Sequence, residues 1–368
     1  MGEIMTKQDF TSALDAAIAA PAANQTLARA LLSGASDRPC YAIGRNAETL
    51  SLIGTMHLDG IVDDFAPPGT SWDGLAAIGM AELPRDAVVI NCTTSISPVA
   101  VEHRLGEAGI DSILSIEDLA AASDGAIPHA TMVREQREDW DRHAPEWADL
   151  FDTLADEASR QTLLDVLRYR LTANTAFMRD YIVRTEEQYF EPFLDLRSEV
   201  FVDAGGFDGD TTEEFCRRCS DYRQVHLFEP SARNLHAAKT RLAGHRDIVF
   251  HAEALSDTEG QISFDPDAGS SSAVTTGAGE LVAMTTLDRA ISGPVSVIKM
   301  DLEGWELKAL AGSERRIRED RPKLAIAVYH RARDFRDIWR QVRALHPDYR
   351  VFLRHYTQGW SETVMFFV

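Results

Sequence analysis

Val200-Phe201-Val202-Asp203-Ala204-Gly205-Gly206-Phe207-Asp208-Gly209-Asp210-Thr211 joins an apolar run ending in an acid to a turn with three glycines. Strand, turn and helix in that order are how a parallel sheet opens a nucleotide pocket. Glycines tolerate positive φ and close approach of a ligand, and the helix predicted from about Thr211 points its first N–H groups the same way. The motif alone admits more than one ligand. Gly205, Gly206 and Gly209 also fit a variant dinucleotide fingerprint, because an acid, Glu229, follows at about the ~20-residue offset of a ribose ligand.

The C-terminus separates these alternatives. Residues 350–356 and 363–368 both read as strands, and the six residues 357–362 between them are too few for a crossover helix. A parallel connection needs about a dozen residues or more, so the two strands are expected to run antiparallel. A dinucleotide fold ends in a further βα unit, whereas an inserted antiparallel last strand marks the seven-stranded sheet of S-adenosylmethionine-dependent methyltransferases. The remaining strands fill that sheet in order: 225–228 ended by Glu229-Pro230, 248–250 running on to Glu253-Ala254, 295–300 ended by Asp301, and 324–329 ended by His330. Helices are predicted over 234–242, 304–318 and 335–345, an alternation that makes a doubly wound α/β domain. Ligands of such sheets sit beyond the carboxyl ends of the strands, where Asp203, Glu229, Glu253, Asp301 and His330 all lie.

With these residues in hand, the stretch 154–368 resembles the FkbM family of methyltransferases. The resemblance is carried by Leu154-Ala155-Asp156-Glu157 with Ser159-Arg160, Tyr169-Arg170-Leu171, Gln188-Tyr189-Phe190, Val202-Asp203-Ala204-Gly205, Phe228-Glu229-Pro230 and Thr286-Leu287-Asp288. Most distinctive is Ile298-Lys299-Met300-Asp301-Leu302-Glu303-Gly304-Trp305-Glu306. The resemblance implies methyl transfer from S-adenosylmethionine to an oxygen, commonly a hydroxyl of a sugar, nucleotide-sugar or natural-product acceptor. The donor is then expected on Asp203 and the turn Gly205, Gly206, Phe207, Asp208, Gly209, Asp210 and Thr211, with Glu229 on the ribose and Pro230, Glu253, Ala254 and Asp301 beside it. Tyr189 reads either as a packing aromatic or as a ring stacked on adenine.

A sulfonium donor arrives activated, so the protein must align the reactants and make the acceptor oxygen nucleophilic, which calls for a base. His330 is expected in that role, because an imidazole is neutral and available near pH 7, with Asp301 orienting the acceptor or the donor methyl. Glu303 is expected to cap a helix or line the cleft, and Glu306, one turn on, to face Lys308, Arg315 or solvent. Asp301, Glu303 and Asp288 together would suit a divalent metal. No His–carboxylate cluster stands out from spacing, so a cation is not the favoured reading.

The formal net charge of −21 over 368 residues would repel a phosphate backbone, which points to a small-molecule acceptor rather than nucleic acid. No apolar run approaches the ~20 residues of a membrane span, and a cytoplasmic protein is expected. The four cysteines do not make a disulfide scaffold, and Cys216 and Cys219 are read as packing residues on the helix after the glycine turn. The chain divides on paper into a helical leader (1–37), a small Rossmann-like α/β domain (38–125), a helical connector (126–197) and the methyltransferase domain (198–368). In the connector, Trp140, Trp147, Phe151, Leu154, Leu163, Leu164, Leu167 and Leu171 recur at helical spacing as a core face.

The small domain reads as strand 40–44, helix 48–56, strand 60–64, strand 87–92 and helix 99–108. Its lone Gly44 is a poor dinucleotide fingerprint. It loosely resembles the nucleotide-binding-like leading domain of some sugar-modifying acyltransferases, where a Gly-x-Val-Asp-Asp run closes the second strand. Asp63 is a candidate for a ribose. Thr93-Thr94-Ser95-Ile96-Ser97-Pro98 leads into a helix whose start would suit a phosphate, with Ser97 as N-cap. The polar stretch 256–280, centred on Asp265-Pro266-Asp267-Ala268-Gly269-Ser270-Ser271-Ser272, reads as a surface loop or a lid. Two other classes stay open beside the methyltransferase: an NAD(P)-dependent oxidoreductase and a non-catalytic S-adenosylmethionine-binding protein.

Overall fold

The computed structural model describes residues 5–264 and 280–368. They form two compact units, one made of 5–151, 161–183 and 355–361 and the other of 152–160, 184–264, 280–354 and 362–368. The Asp265–Ser272 core of the candidate lid lies outside the described residues.

The first unit opens with α1 (Lys7–Ala19), closed at its start by a reciprocal Thr6–Asp9 capping box, and α2 (Gln25–Leu32). There follow β1 (Cys40–Ile43), α3 (Ala47–Ile53), β2 (Gly60–Val62), β3 (Ser71–Trp72), β4 (Leu75–Ile78), β5 (Val88–Asn91), α4 (Pro98–Glu107), β6 (Ile113–Ser115) and α5 (Ile116–Ala122). The six strands lie in the order β3-β4-β2-β1-β5-β6, parallel from β4 to β6, with β3 folded back antiparallel on β4. This sheet is twice the three strands expected. The missed strands are two to four residues long and carry little periodicity of their own. Next come α6 (Thr131–Thr153), which contains Pro145 and leaves helical geometry at His143, and α7 (Glu157–Thr172). Trp140, Trp147, Phe151, Leu154, Leu163, Leu164, Leu167 and Leu171 are all buried, and the four cysteines are buried and free.

The second unit runs β7 (Val200–Ala204), α8 (Asp210–Arg218), β8 (Gln224–Phe228), α9 (Ala232–Arg241), β9 (Ile248–His251), β10 (Ala254–Leu255), β11 (Gly260–Phe264) and β12 (Glu280–Thr285). It continues with α10 (Leu287–Ala290), β13 (Val297–Met300), α11 (Glu306–Ala311), α12 (Glu314–Asp320), β14 (Lys323–Ala327), α13 (Asp334–Leu345), β15 (Val351–His355) and β16 (Thr363–Phe367). Seven strands lie in the order β15-β16-β14-β13-β7-β8-β9, and β14 pairs antiparallel with β16. The strands from β14 to β9 are mutually parallel. The side chains of β14, β13, β7 and β8 are buried on both faces, as covered parallel sheets require, and Val202, Leu227, Ile298 and Ile326 expose nothing, whereas the edge strand β9 is only partly covered.

The structure departs from the sequence-based expectations at three places. Ala254 does not extend the third strand of this sheet; it opens β10, part of a separate three-stranded sheet in the order β10-β12-β11. Residues 260–264, read as loop, are strand β11 paired antiparallel with β12. The single helix expected over 304–318 is two, α11 and α12, because a Cβ at Gly312 would overlap the Ser256 carbonyl oxygen and the chain turns there.

Candidate functional site

From β7 the chain steps outward through β8 to β9, whereas β13 and then β14 lie on its other side. That reversal places the switch point of the sheet between β7 and β13, where open α/β sheets bind their ligands. Two turns meet there. Ala204 pairs with Met300, and Asp301 N donates to Ala204 O at 3.1 Å, so Gly205 and Asp301 leave the sheet side by side. A Cβ at Gly205 (φ +82°) would overlap the Asp301 carbonyl oxygen.

The glycine turn is held from behind. Gly205 N and Gly206 N both donate to Phe228 O (3.1 and 3.0 Å), Phe207 N to Glu229 Oε2 (3.0 Å), and Gly209 N to Gly206 O (2.8 Å). These amides are therefore engaged within the turn, not aimed at a ligand. A Cβ at Gly206 would strike the Leu227 side chain, so that glycine answers to internal packing as well. Asp203 is fully buried: it accepts from Thr212 Oγ1 (2.7 Å) and pairs with Lys299 Nζ (3.0 Å), which also donates to Gly205 O (2.7 Å). Burial alone would lower the Lys299 pKa, but Asp203 and Asp301 raise it, so the ammonium stays charged. Asp208 pairs with Arg241 (2.6 Å), and Asp210 accepts from Thr211 N (2.6 Å). Glu229 accepts from Phe207 N, from Ser231 N (2.8 Å) and from the Asn234 side chain, so its carboxylate is held in place from three sides. Pro230 follows it half-buried, and Glu253 stands past β9 with 40% of its side chain exposed.

The turn after β13 carries the distinctive motif. Glu303 (φ +53°) and Gly304 (φ +88°) are left-handed, a conformation that costs a non-glycine residue on the order of 1 kcal/mol. Glu306 stabilises it: its Oε1 accepts from Leu302 N (2.7 Å) and Gly304 N (3.3 Å). Glu306 was expected to face Lys308, Arg315 or solvent; instead it is 1% exposed and lies against His330. His330 Nε2 stands 3.4 Å from Asp301 and 3.3 Å from Glu303, and its Nδ1 3.2 Å from Glu306. Burial would lower the pKa of this imidazole, but Glu303, Glu306 and Asp301 together hold it well above its ordinary value. A freely neutral ring near pH 7 is thus not what these surroundings favour. A His–carboxylate cluster that spacing did not reveal is present, while Asp288 is absent from it, its carboxylate accepting from Arg315 N and Arg316 N at the start of α12.

Tyr189 (φ +73°) belongs to the same cluster. Its hydroxyl donates to Asp301 Oδ2 at 2.6 Å and accepts from Gln188 Nε2 at 3.0 Å, and Lys299 Nζ lies 5.2 Å from the ring centre. Gln188 also donates to Glu362 (2.8 Å). Lys299, Gln188, Glu306 and Glu362 were not singled out from sequence as site residues.

In the first unit, the helix start proposed for a phosphate is taken. Ala100 N at the start of α4 donates to Gln358 Oε1 (3.0 Å), while Gln358 N, Trp360 N and Ser361 Oγ bond Ile96 O, Thr94 O and Ser95 O at 2.7, 3.1 and 2.8 Å. Ser97 occupies the N-cap position without a side-chain cap bond. Asp63 pairs with Arg45 at 2.5 Å.

Residues 203–358 match the family model described as the methyltransferase FkbM domain. The methyltransferase FkbM from Methylobacillus flagellatus KT superposes with a TM-score of 0.76 at 25% identity, covering 98% of each chain. Aeropyrum pernix fibrillarin with bound S-adenosyl-L-methionine aligns over 50% of this chain and 71% of its own at 12% identity, with a TM-score of 0.33. An rRNA methylase from Streptococcus thermophilus aligns over 47% of this chain and 87% of its own at 16% identity, with a TM-score of 0.32. No curated relative matches the chain.

Proposed function

We propose that this chain, whose residues 203–358 form an FkbM methyltransferase domain, moves a methyl group from S-adenosylmethionine to a hydroxyl oxygen of a sugar, nucleotide-sugar or natural-product acceptor. The observation that carries this reading is the meeting of the glycine turn after β7 with the Asp301 turn after β13 at the switch point of the sheet. The donor lies along the β7–β8 side, its ribose hydroxyls on the Glu229 carboxylate. The acceptor lies on the β13–β14 side, against Asp301, Glu303 and His330.

In the transfer, the bond between sulfur and the methyl carbon breaks with its electron pair left on sulfur. A bond from the acceptor oxygen to that carbon forms, and the hydroxyl proton passes to a carboxylate of the Asp301–Glu303 turn. His330, held protonated by those carboxylates, serves to position them, and Tyr189 fixes Asp301 through its Oδ2. Donor and acceptor are thereby brought together by groups whose geometry is set before either arrives, the source of most of the advantage of such reactions.

The test is transfer of labelled methyl from S-adenosylmethionine to the nucleotide-sugar pool of the host. A labelled acceptor should form, and Asp301→Asn should lower turnover by about 10²-fold, the usual worth of a positioned proton acceptor. Donor binding without label in any hydroxyl-bearing acceptor would favour a non-catalytic binding protein instead.

A further inference from the structure

We infer that Asp301, Glu306 and His330 form a binding site for one divalent transition cation, with one ligand atom from each residue. The inference rests on the acceptor-side reading of this site given above. Ligand atoms of the three residues all lie within 4.8 Å of one another, a spread that a single cation with bonds of roughly 2.0–2.2 Å bridges after a small contraction. They come from three places that the fold fixes independently: the end of β13, the first turn of α11 and the segment after β14.

A second observation points the same way. Both ring nitrogens of His330 and Asp301 Oδ1 are buried without a hydrogen-bond partner, although His330 is only 8% exposed and carboxylates stand on either side of it. Buried polar atoms in native proteins are nearly always satisfied, and here the carboxylates stand at ion-pair distance from the ring without a well-formed hydrogen bond to either nitrogen. Three carboxylates facing one imidazole also leave negative charge in excess, which a dication offsets more fully than a single proton. One imidazole nitrogen with two carboxylate oxygens is a mixed donor set that suits Mn2+, Fe2+ or Zn2+, whereas Mg2+ and Ca2+ prefer oxygen alone. Placed there, the cation would displace the proton that His330 holds in its absence, lie beside the acceptor hydroxyl and favour its alkoxide, with Glu303, which is outside the ligand set and 24% exposed, accepting the hydroxyl proton.

The experiment uses the full chain, stripped with a chelator and dialysed. Mn2+ is titrated in while free Mn2+ is followed by electron paramagnetic resonance, Zn2+ is titrated calorimetrically, and S-adenosylhomocysteine is titrated into the same preparations. One site per chain is expected in the parent, weakened about tenfold or more in Asp301→Asn and His330→Gln, with Glu319→Gln, an exposed carboxylate on α12, unchanged. Circular dichroism melts establish that each variant is folded, and Glu306→Gln replaces any that is not. A parent that binds neither ion stoichiometrically overturns the inference, as do folded variants that bind like the parent. S-adenosylhomocysteine binding without cation binding removes the cation site and leaves the methyltransferase reading standing. Cation binding as expected without S-adenosylhomocysteine binding does the reverse.

Discussion

Lys299 places a full charge inside a buried sheet, where it ties Asp203 and the Gly205 carbonyl to β13. Removing one partner of a buried ion pair leaves an uncompensated charge, which typically costs about 3–5 kcal/mol. Lys299→Met should therefore lower the stability of the second unit by roughly that amount in urea denaturation; a change within about 0.5 kcal/mol, the scale of a neutral surface substitution, would show that the pair holds little. Gly206→Val is expected to destabilise through overlap with Leu227, so its melting temperature falls together with S-adenosylhomocysteine binding. A variant of parental stability that loses only the ligand would instead mean that the glycine exists for ligand approach. Single residues were the least legible part of the chain. Glu229 and Asp301 announce themselves by ending apolar strands, but Glu306 was read against its own helix face, and nothing in a helical repeat shows that it turns back on Leu302 and Gly304. His330 lies 24 residues further along the sequence, and its adjacency to Glu306 exists only once β13 and β14 are in register.

At the scale of elements, β8 and β9 are joined by a pair of histidines. His226 Nδ1 is 3.1 Å from His251 Nε2, its Nε2 is 3.1 Å from Gln224 Oε1, and His251 stacks on Phe228 with ring centres 4.0 Å apart. Burial, and then His251, lower the His226 pKa to about 4. The folded state thus binds fewer protons than the unfolded chain between pH 4 and the ordinary value near 6.5, and stability falls as pH drops through that window. A loss of about 2–3 kcal/mol is expected between pH 7 and pH 4 from this group, and His226→Phe should flatten that part of the stability profile. An unchanged slope in the variant would assign the acid sensitivity elsewhere. The strands β7, β8 and β13 were readable because each is a short apolar run closed by an acid. Strands β3, β4 and β6 were not, being too short for a period to show, and the β11–β12 pair was hidden because it brackets a polar stretch whose turn-forming composition dominated the reading.

For the whole molecule, acidity is the property that sequence alone makes plain. With a formal net charge of −21, the chain is expected to give no shift of single- or double-stranded RNA in gel electrophoresis at about 0.15 M salt, where unspecific phosphate contacts need a basic surface; a retained band would reopen nucleic acid as the acceptor. Among the described residues no helix is long and apolar enough to cross a membrane. Each unit carries its own largely parallel sheet, yet the two differ at the switch point. In the first the helix start that could greet a phosphate is closed by Gln358 and its neighbours, whereas in the second the glycine turn and the Asp301 turn come together around unsatisfied polar atoms. Methyl transfer by this chain therefore requires the donor to bind at that second edge. The most direct measurement is calorimetric titration of S-adenosylmethionine into the parent chain and into Glu229→Ala, both shown to be folded. One site per chain in the parent, weakened about tenfold or more in the variant through loss of a buried charged acceptor, is the predicted result; no binding by the parent, or equal affinity in the two, would contradict it.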